Sequence, residues 1–252
     1  MSSASRPVPQ IRRSADADEL AERVAATLIT RITAIQQSGR VPSVALTGGT
    51  IAARIHAAVA SSEDRELVDW SRADFWFGDE RFVSSGSPDR NAGQAEAAML
   101  RSLRVDPARV HVMPANDGPY GDDVDAAAAA YADELATAIA ARGGTAFDVL
   151  MLGIGPDGHC ASLFPGRTEQ LDQRLAVAVR NSPKPPPTRI SLTMRALNSA
   201  REVWWVAAGE GKAQAVRNAI AGADPVAVPA AGPKGLERTL WFLDAEAASR
   251  FS

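Results

Sequence analysis

Two patterns of hydrophobic and polar positions alternate along the chain. In the first, apolar residues recur every three or four positions, as they do over residues 16–37. That spacing predicts an amphipathic helix, which Gly39 would end. The alanine-rich segment 125–141 predicts another helix, because alanine has the highest helix propensity. Further predicted helices cover residues 51–60, 91–103 and 212–220, and a short one ends the chain.

The second pattern consists of short apolar runs, which predict buried β-strands. They cover residues 41–46, 73–77, 110–113, 147–152, 175–179, 189–193, 203–207 and 240–243. Because these strands alternate with helices, the sequence predicts an α/β fold with a mostly parallel sheet flanked by helices on both faces. No long linker or internal repeat divides the chain, so we expect a single domain over residues 13–252. Residues 1–12 are expected to form a loose N-terminal tail or an edge strand.

Composition narrows the class of protein. The chain has 252 residues, is 46% hydrophobic and carries a formal net charge of -3, which is typical of a globular protein in water. Weak acidity without a basic, aromatic-containing cluster argues against nucleic-acid binding. The single cysteine, Cys160, excludes an intrachain disulfide and a zinc site built on cysteine pairs. No secretory signal or run of ~20 apolar residues is present, so we expect no membrane association and a cytoplasmic location.

Polar or glycine-rich loops follow four of the predicted strands. Because the carboxyl ends of parallel strands lie at one edge of a sheet, these loops are expected to meet. They are Thr47-Gly48-Gly49-Thr50, Gly78-Asp79-Glu80-Arg81, the segment from Gly153 to His159, and Gly209-Glu210-Gly211-Lys212. The first of them begins a helix, whose free amides and neighbouring hydroxyls suit a phosphate. The alternative is a tight turn with Thr50 as the helix N-cap.

Charged side chains in these loops suggest a site for a small anion. Arg81 is suited to bidentate phosphate binding, and Asp79 to orienting a sugar hydroxyl or a neighbouring cation. Lys212 lies at a helix start, where anions are favoured, and Arg189 follows three prolines in a row. The alternatives are surface ion pairs and a solvated lysine, which are common and contribute little.

His159 is the strongest candidate for proton transfer. It follows a buried strand and lies two residues after Asp157, and a carboxylate there would fix its tautomer and raise its basicity. The alternative is a structural histidine. The loop also matches G-x-G-x-x-G, but Pro156 interrupts it and no long helix starts inside it, so a nicotinamide cofactor is disfavoured. Cys160 lacks an evident partner, and no G-x-S-x-G serine elbow exists.

Four motifs together resemble the 6-phosphogluconolactonase family. They are LTGGT at 46–50, WFGDERFV at 76–83, LGIGPDGHCASLFPG at 152–166, and SPKPPP at 182–187 followed by Arg189. The resemblance extends over about residues 40–243. Two departures are visible: Arg90 stands where the family usually has Ser before Asn91, and Cys160 where it often has Thr. Neither replaces a group assigned to proton transfer.

The resemblance implies a cofactor-independent, metal-free hydrolase that converts 6-phospho-D-glucono-1,5-lactone to 6-phospho-D-gluconate in the pentose phosphate pathway. It implies a Rossmann-like sheet that binds no dinucleotide, a fold shared with glucosamine-6-phosphate deaminases. His159 would activate water and Asp157 would orient it, although Asp79 is an alternative partner. Residues 47–50, Arg81 and Lys212 would hold the phosphate, with Arg189 a weaker candidate. We expect a monomer with a small sugar phosphate as its partner.

Two other functions stay open. A glucosamine-6-phosphate deaminase or isomerase would share the GGT and DGH features, but ERFV after Asp79 and ASLFPG after His159 favour the lactonase. A non-catalytic sugar-phosphate sensor is the second, because the same fold serves as an effector domain in some transcription regulators. Such regulators need a DNA-binding helix pair, whereas the segment before Gly39 has a single predicted helix.

Overall fold

The computed structural model describes residues 6–251, which form an α/β arrangement. The helices are α1 Ala17–Gln37, α2 Thr50–Ser61, α3 Asn91–Ala95, α4 Val124–Ala141, α5 Met194–Leu197 and α6 Ala213–Ile220. The strands are β1 Gln10–Ser14, β2 Ser43–Leu46, β3 Asp74–Phe77, β4 Asp79–Arg81, β5 Val149–Gly153, β6 Ala176–Val179, β7 Arg189–Leu192, β8 Glu202–Ala207 and β9 Arg238–Asp244. Within this part of the chain, no helix is both long and apolar enough to cross a bilayer.

The main sheet has the strand order β1-β9-β8-β5-β2-β3, and every neighbouring pair in it is parallel. The predicted parallel sheet is therefore confirmed, and the carboxyl ends of its strands share one edge. At the edge of the sheet opposite β3, strand β1 pairs with β9 along its whole length. Of the two expectations for residues 1–12, a loose tail or an edge strand, the edge strand is the one found at residues 10–12, while residues 1–5 lie outside the described part.

Alternate side chains of the central strands enter two separate cores, which explains why the strands are apolar throughout. Leu150 and Leu152 of β5 join α4 and α6 side chains in one core. Val149 and Met151 of the same strand join α1 and α2 side chains in the other. Successive strand residues point to opposite faces, so a sheet with helices on both sides needs apolar residues at every position. Helices on both faces are thus confirmed.

A second, antiparallel sheet has the order β4-β7-β6 and was not predicted. Its strand β4 occupies residues that the sequence assigned to a loop, and it pairs with β7 across a separation of about a hundred residues. This sheet continues from the end of β3, because Gly78 accepts a hydrogen bond from Leu192 N over 2.9 Å through its carbonyl. The small sheet therefore stands at the carboxyl edge of the main sheet.

Three predicted elements differ from the structure. Val110 makes only an isolated bridge to Phe75, so residues 110–113 are not a strand. The helix expected over residues 91–103 consists of α3 and a π-helical turn, Glu96–Leu100. Residues 245–250 form turns and not the expected final helix.

Candidate active site

A cavity of about 250 Å³ lies where the four polar loops come together at the carboxyl edge of the main sheet. The turn after β2, strand β4, the loop after β5 and the segment before α6 all contribute to its wall. The side chains and backbone that line it belong to Thr47, Gly48, Gly49, Asp79, Arg81, Asn91, Gly153, Ile154, His159, Ala161, Lys184, Pro185, Arg189 and Lys212. Its charged wall consists of four basic side chains and one carboxylate, so the cavity favours an anion.

The loop after β5 folds back on itself and thereby presents His159. Gly155 N donates to the His159 carbonyl over 2.9 Å, and Gly158 N donates to the Gly155 carbonyl over 2.9 Å. Gly158 has a φ of 86°, which favours glycine. A Cβ atom at Gly155 would lie 2.0 Å from the imidazole, so the histidine ring occupies the space that a side chain would need. The glycines therefore set the position of the ring.

Asp157, and not Asp79, is the carboxylate in contact with His159. Asp157 Oδ1 lies 2.5 Å from His159 Nδ1. Because a carboxylate only accepts, Nδ1 carries the proton and the lone pair of Nε2 is left for another group. Burial lowers the pKa of His159 below its ordinary value despite the opposing effect of Asp157, so the imidazole is neutral at pH 7.

Asp79 is held by neighbours other than His159. The Ser162 hydroxyl donates to Asp79 Oδ2 over 2.6 Å, and Asn91 Nδ2 donates to the Asp79 carbonyl over 2.9 Å. Asn91 also accepts a hydrogen bond from Arg81 through Oδ1. Asp79 is 8% exposed and faces the cavity, so this carboxylate is both fixed and accessible to a ligand.

The turn after β2 ends in an uncapped helix. Gly49, with a φ of 98°, is the N-cap of α2 and provides no side chain, so Thr50 is the first helical residue and not the cap. The amides of this first turn are consequently left for a ligand. Thr47 Oγ1 accepts from Gly153 N over 3.3 Å. Thr50 does not line the cavity of His159 but a neighbouring one of about 360 Å³.

The four basic residues of the cavity differ in how they are engaged. Lys212 lines both cavities, and its ammonium has no hydrogen-bond partner among residues 6–251. Burial, and secondarily the charge of Lys184, lowers the pKa of Lys212. Arg81 donates to the Asp89 carbonyl over 2.9 Å and to Asn91. Arg189 is almost fully engaged with protein atoms, as described below.

Three residues of the site were not predicted from the sequence: Asn91, Ser162 and Lys184. Lys184 lies in SPKPPP, which the proline content indicated only as a stiff connector, although a lone lysine among prolines was a usable signal. Asn91 begins a helix and Ser162 lies inside a recognised motif, but nothing in the sequence pointed either side chain toward Asp79.

Most amides of the loop after β5 are not available to a ligand. Besides those of Gly155 and Gly158, Cys160 N donates to the Leu163 carbonyl over 3.4 Å, and His159 N to Asp157 Oδ1 over 3.4 Å. Residues 222–237, whose position the sequence left open, pack behind this loop, where Ala230 N donates to the Gly158 carbonyl over 3.0 Å. None of them lines the cavity.

Alternative chemistries find little support in the described residues. Cys160 is fully buried, and burial raises the pKa of its thiol far above neutrality, so it is not a nucleophile. Within residues 6–251, no group of three or more His, Cys, Asp or Glu side chains is arranged to hold a metal ion. The imidazole, whose Nδ1 is bound to Asp157, lies beside a basic cavity, so it can activate water next to a bound anion.

Known proteins share this fold and much of this sequence. A family model described as glucosamine-6-phosphate isomerases/6-phosphogluconolactonase matches residues 15–241. The 6-phosphogluconolactonase of Streptomyces coelicolor is 53% identical over 246 residues, which cover 96% of this chain and 94% of that protein. The crystal structure of 6-phosphogluconolactonase from Trypanosoma brucei aligns with a TM-score of 0.79 and 26% identity, covering 98% of this chain and all of that one.

A monomeric glucosamine-6-phosphate deaminase also aligns, with a TM-score of 0.79 over 96% of this chain and 99% of that one. Its sequence is 18% identical, so this likeness shows the common fold and nothing about the reaction. The family model covers most of the chain, and the Streptomyces relative matches it nearly from end to end. The chain therefore belongs to the 6-phosphogluconolactonase family.

Proposed function

We propose that this chain hydrolyses 6-phospho-D-glucono-1,5-lactone to 6-phospho-D-gluconate, with His159 as the general base. The observation that carries this assignment is the imidazole beside the cavity, with Nδ1 tied to Asp157 over 2.5 Å. The sequence likeness to a 6-phosphogluconolactonase supports the choice of reaction. A δ-lactone already hydrolyses slowly in water, so positioning and one proton shuttle are enough for a large acceleration.

His159 would act twice in the reaction. Nε2 takes a proton from water while the water oxygen attacks the lactone carbonyl, which forms a tetrahedral adduct. The proton then passes to the ring oxygen as its bond to the former carbonyl carbon breaks, and the ring opens. Asp157 keeps the proton on Nδ1 and stabilises the transient imidazolium. The lowered pKa of His159 leaves Nε2 unprotonated and ready at neutral pH.

The phosphate would lie toward Lys212 and the start of α2. Lys212 is the basic residue that borders both cavities, and Gly48 and Gly49 border both as well. The uncapped amides of α2 and the unpaired ammonium provide complementary partners for a dianion. This geometry supports the expected role of residues 47–50 and Lys212.

The sugar hydroxyls would face Asp79 and Asn91. Ser162 and Asn91 hold the Asp79 carboxylate, while Arg81 is tied to Asn91. These groups form a rigid polar wall at the end of the small sheet. Catalysis through protein groups alone, a monomeric state and a cytoplasmic location remain predictions.

Comparison of two lactones tests this assignment. We expect Lys212→Ala to raise the KM for 6-phosphogluconolactone about 10-fold or more, because a charge-assisted hydrogen bond to the phosphate is lost. Its hydrolysis of unphosphorylated glucono-1,5-lactone should match the wild-type rate, measured above the spontaneous reaction. Lys234→Ala, at an exposed lysine that lines neither of the two cavities, is the matched control. Equal losses on both lactones would refute the placement of the phosphate.

A further inference from the structure

Arg189 lies between strands β4 and β6 and close to Ser162. On β7 it pairs with Arg81 of β4 on one side and with Val179 of β6 on the other. Its side chain lies near the Ser162 hydroxyl and 3.9 Å from Asp79 Oδ2. Only 5% of Arg189 is exposed, so its guanidinium is fixed by these neighbours and not by solvent.

Nearly all donors of this guanidinium bind the chain itself. Nε donates to the Pro186 carbonyl over 3.2 Å, and Nη2 donates to the carbonyls of Lys184 and Pro185 over 3.0 and 3.2 Å. Nη1 donates to Ser162 Oγ over 3.4 Å. An arginine has five N–H groups in a fixed fork. Four of them are used in these contacts, and Nη1, which carries the fifth, lies 3.9 Å from Asp79 Oδ2. No pair of donors therefore remains to grip a phosphate.

The segment 182–187 depends on these contacts. Four of its six residues are prolines, which have no N–H, so the segment has few ways to tie itself to neighbouring strands. The Ser182 amide donates to the Pro187 carbonyl over 2.9 Å, and the Ser182 hydroxyl to the Lys184 carbonyl over 2.9 Å. Arg189 donates to three successive carbonyls of the segment, those of residues 184–186. The segment in turn places Lys184 and Pro185 in the cavity wall.

We propose that Arg189 is a positioning residue, which holds segment 182–187 against the cavity so that the Lys184 side chain meets an anionic oxygen of the substrate. This rests on the function proposed above and replaces direct phosphate binding by Arg189. The Lys184 ammonium is close enough to both Lys212 and His159 for its charge to act on each. Lysine in place of Arg189 would keep the charge but could not span three carbonyls and a hydroxyl from one nitrogen.

A double-mutant cycle with hydrogen exchange tests the proposal. We expect Arg189→Lys and Lys184→Ala each to lower kcat/KM for 6-phosphogluconolactone about 10- to 100-fold, the range for one charge-assisted hydrogen bond. The kcat/KM of the double variant should be no more than about 3-fold below that of the less active single variant, because both changes remove the same contact. In the free protein, Arg189→Lys should accelerate amide exchange at Ser182 and at position 184, the two positions of the segment with a backbone N–H, whereas Lys184→Ala should not.

Arg180→Lys, at an exposed arginine that pairs with Asp125, is the matched control and should change neither readout. Losses that multiply in the double variant, or unchanged exchange in Arg189→Lys, would overturn the proposal in favour of direct binding by Arg189. If the wild type hydrolyses no lactone, the proposed function fails. The exchange result, which needs no substrate, still decides whether Arg189 holds the segment.

Discussion

At the scale of single residues, the site depends on contacts too close for any larger side chain. Gly155 lies under the His159 ring, and Gly48 lies against Asn91, where an added Cβ would be 2.0 Å from Oδ1. At both positions, a functional side chain occupies the space that a Cβ atom of the glycine would need. The position of the His159 ring therefore depends on Gly155 having no Cβ atom.

Gly155→Ala should therefore abolish most activity while the fold stays intact. The added methyl group would push the imidazole away from Asp157 and the cavity, and a ring at the end of a flexible side chain can move without unfolding the protein. We expect a loss in kcat of about 10²-fold, the scale of a misplaced general base, with a melting temperature close to wild type. Gly86→Ala is the control, because an added Cβ there would have no atom within 4 Å from the other described residues, its chain neighbours apart. Wild-type kcat in Gly155→Ala would contradict this account of the ring.

At this scale, contacts between residues close in sequence can be predicted from the sequence. Asp157 and His159 are two residues apart, so their pairing could be proposed without a structure. Ser162 could not be found, because its role comes from a contact with Asp79, which is distant in sequence. Arg189 was recognised as a cation of the site, but only its contacts reveal that its donors are engaged.

At the scale of elements, strand β4 divides its three residues between two tasks. Asp79 and Arg81 face the cavity, whereas Glu80, between them, points to the other side, as alternation in a strand requires. Glu80 is 1% exposed, and its carboxylate accepts from Asn91 N over 2.8 Å and Ala92 N over 2.9 Å. It therefore anchors the beginning of α3 and positions Asn91.

Glu80→Gln tests this anchoring. An amide in place of the carboxylate offers one oxygen where two are used, so one buried N–H of α3 loses its acceptor. We expect the free energy of unfolding to fall by about 1–3 kcal/mol, with a decrease in kcat/KM as Asn91 shifts. Urea denaturation and steady-state kinetics measure the two effects. Glu96→Gln, at a half-exposed position in the same helical segment, should leave both nearly unchanged. Unaltered stability in Glu80→Gln would contradict the anchoring role.

The sequence predicted the helices and parallel strands of the main sheet well because each has a continuous pattern. Strand β4 was missed because three polar residues carry no apolar signal, and its partner β7 lies far along the chain. Residues 110–113 looked like a strand because they are apolar, yet they pack beside β3 through one bridge only. Only Met113 of this run is buried and Val112 is exposed, so an apolar run does not by itself imply a ladder of hydrogen bonds.

At the scale of the whole molecule, one buried histidine away from the site links folding to pH. His56 on α2 is 4% exposed, and its Nε2 has no hydrogen-bond partner within the described residues 6–251. Burial lowers its pKa to about 4. The unfolded chain would bind a proton there near pH 6.5. Between these values the unfolded state binds more protons, so the protein loses stability as the pH falls from 6.5 toward 4.

We expect His56 alone to lower the free energy of unfolding by about 2 kcal/mol between pH 7 and pH 5. Denaturant titrations of wild type and His56→Leu at both pH values isolate this contribution, because all other groups titrate in both proteins. The decrease in the free energy of unfolding from pH 7 to pH 5 should be about 2 kcal/mol smaller in His56→Leu than in wild type. An equal decrease in both proteins would mean that His56 is not buried in its neutral form.

The central claim is that His159 activates water on a phosphorylated lactone. The most direct measurement is consumption of freshly generated 6-phosphogluconolactone, above its spontaneous hydrolysis, by wild type and His159→Ala, with 6-phosphogluconate binding measured in both. We predict rapid hydrolysis by wild type, a kcat lower by about 10²-fold or more in the variant, and retained binding. Equal activity in both would contradict the role of His159. Binding without hydrolysis by wild type would instead identify a sugar-phosphate sensor.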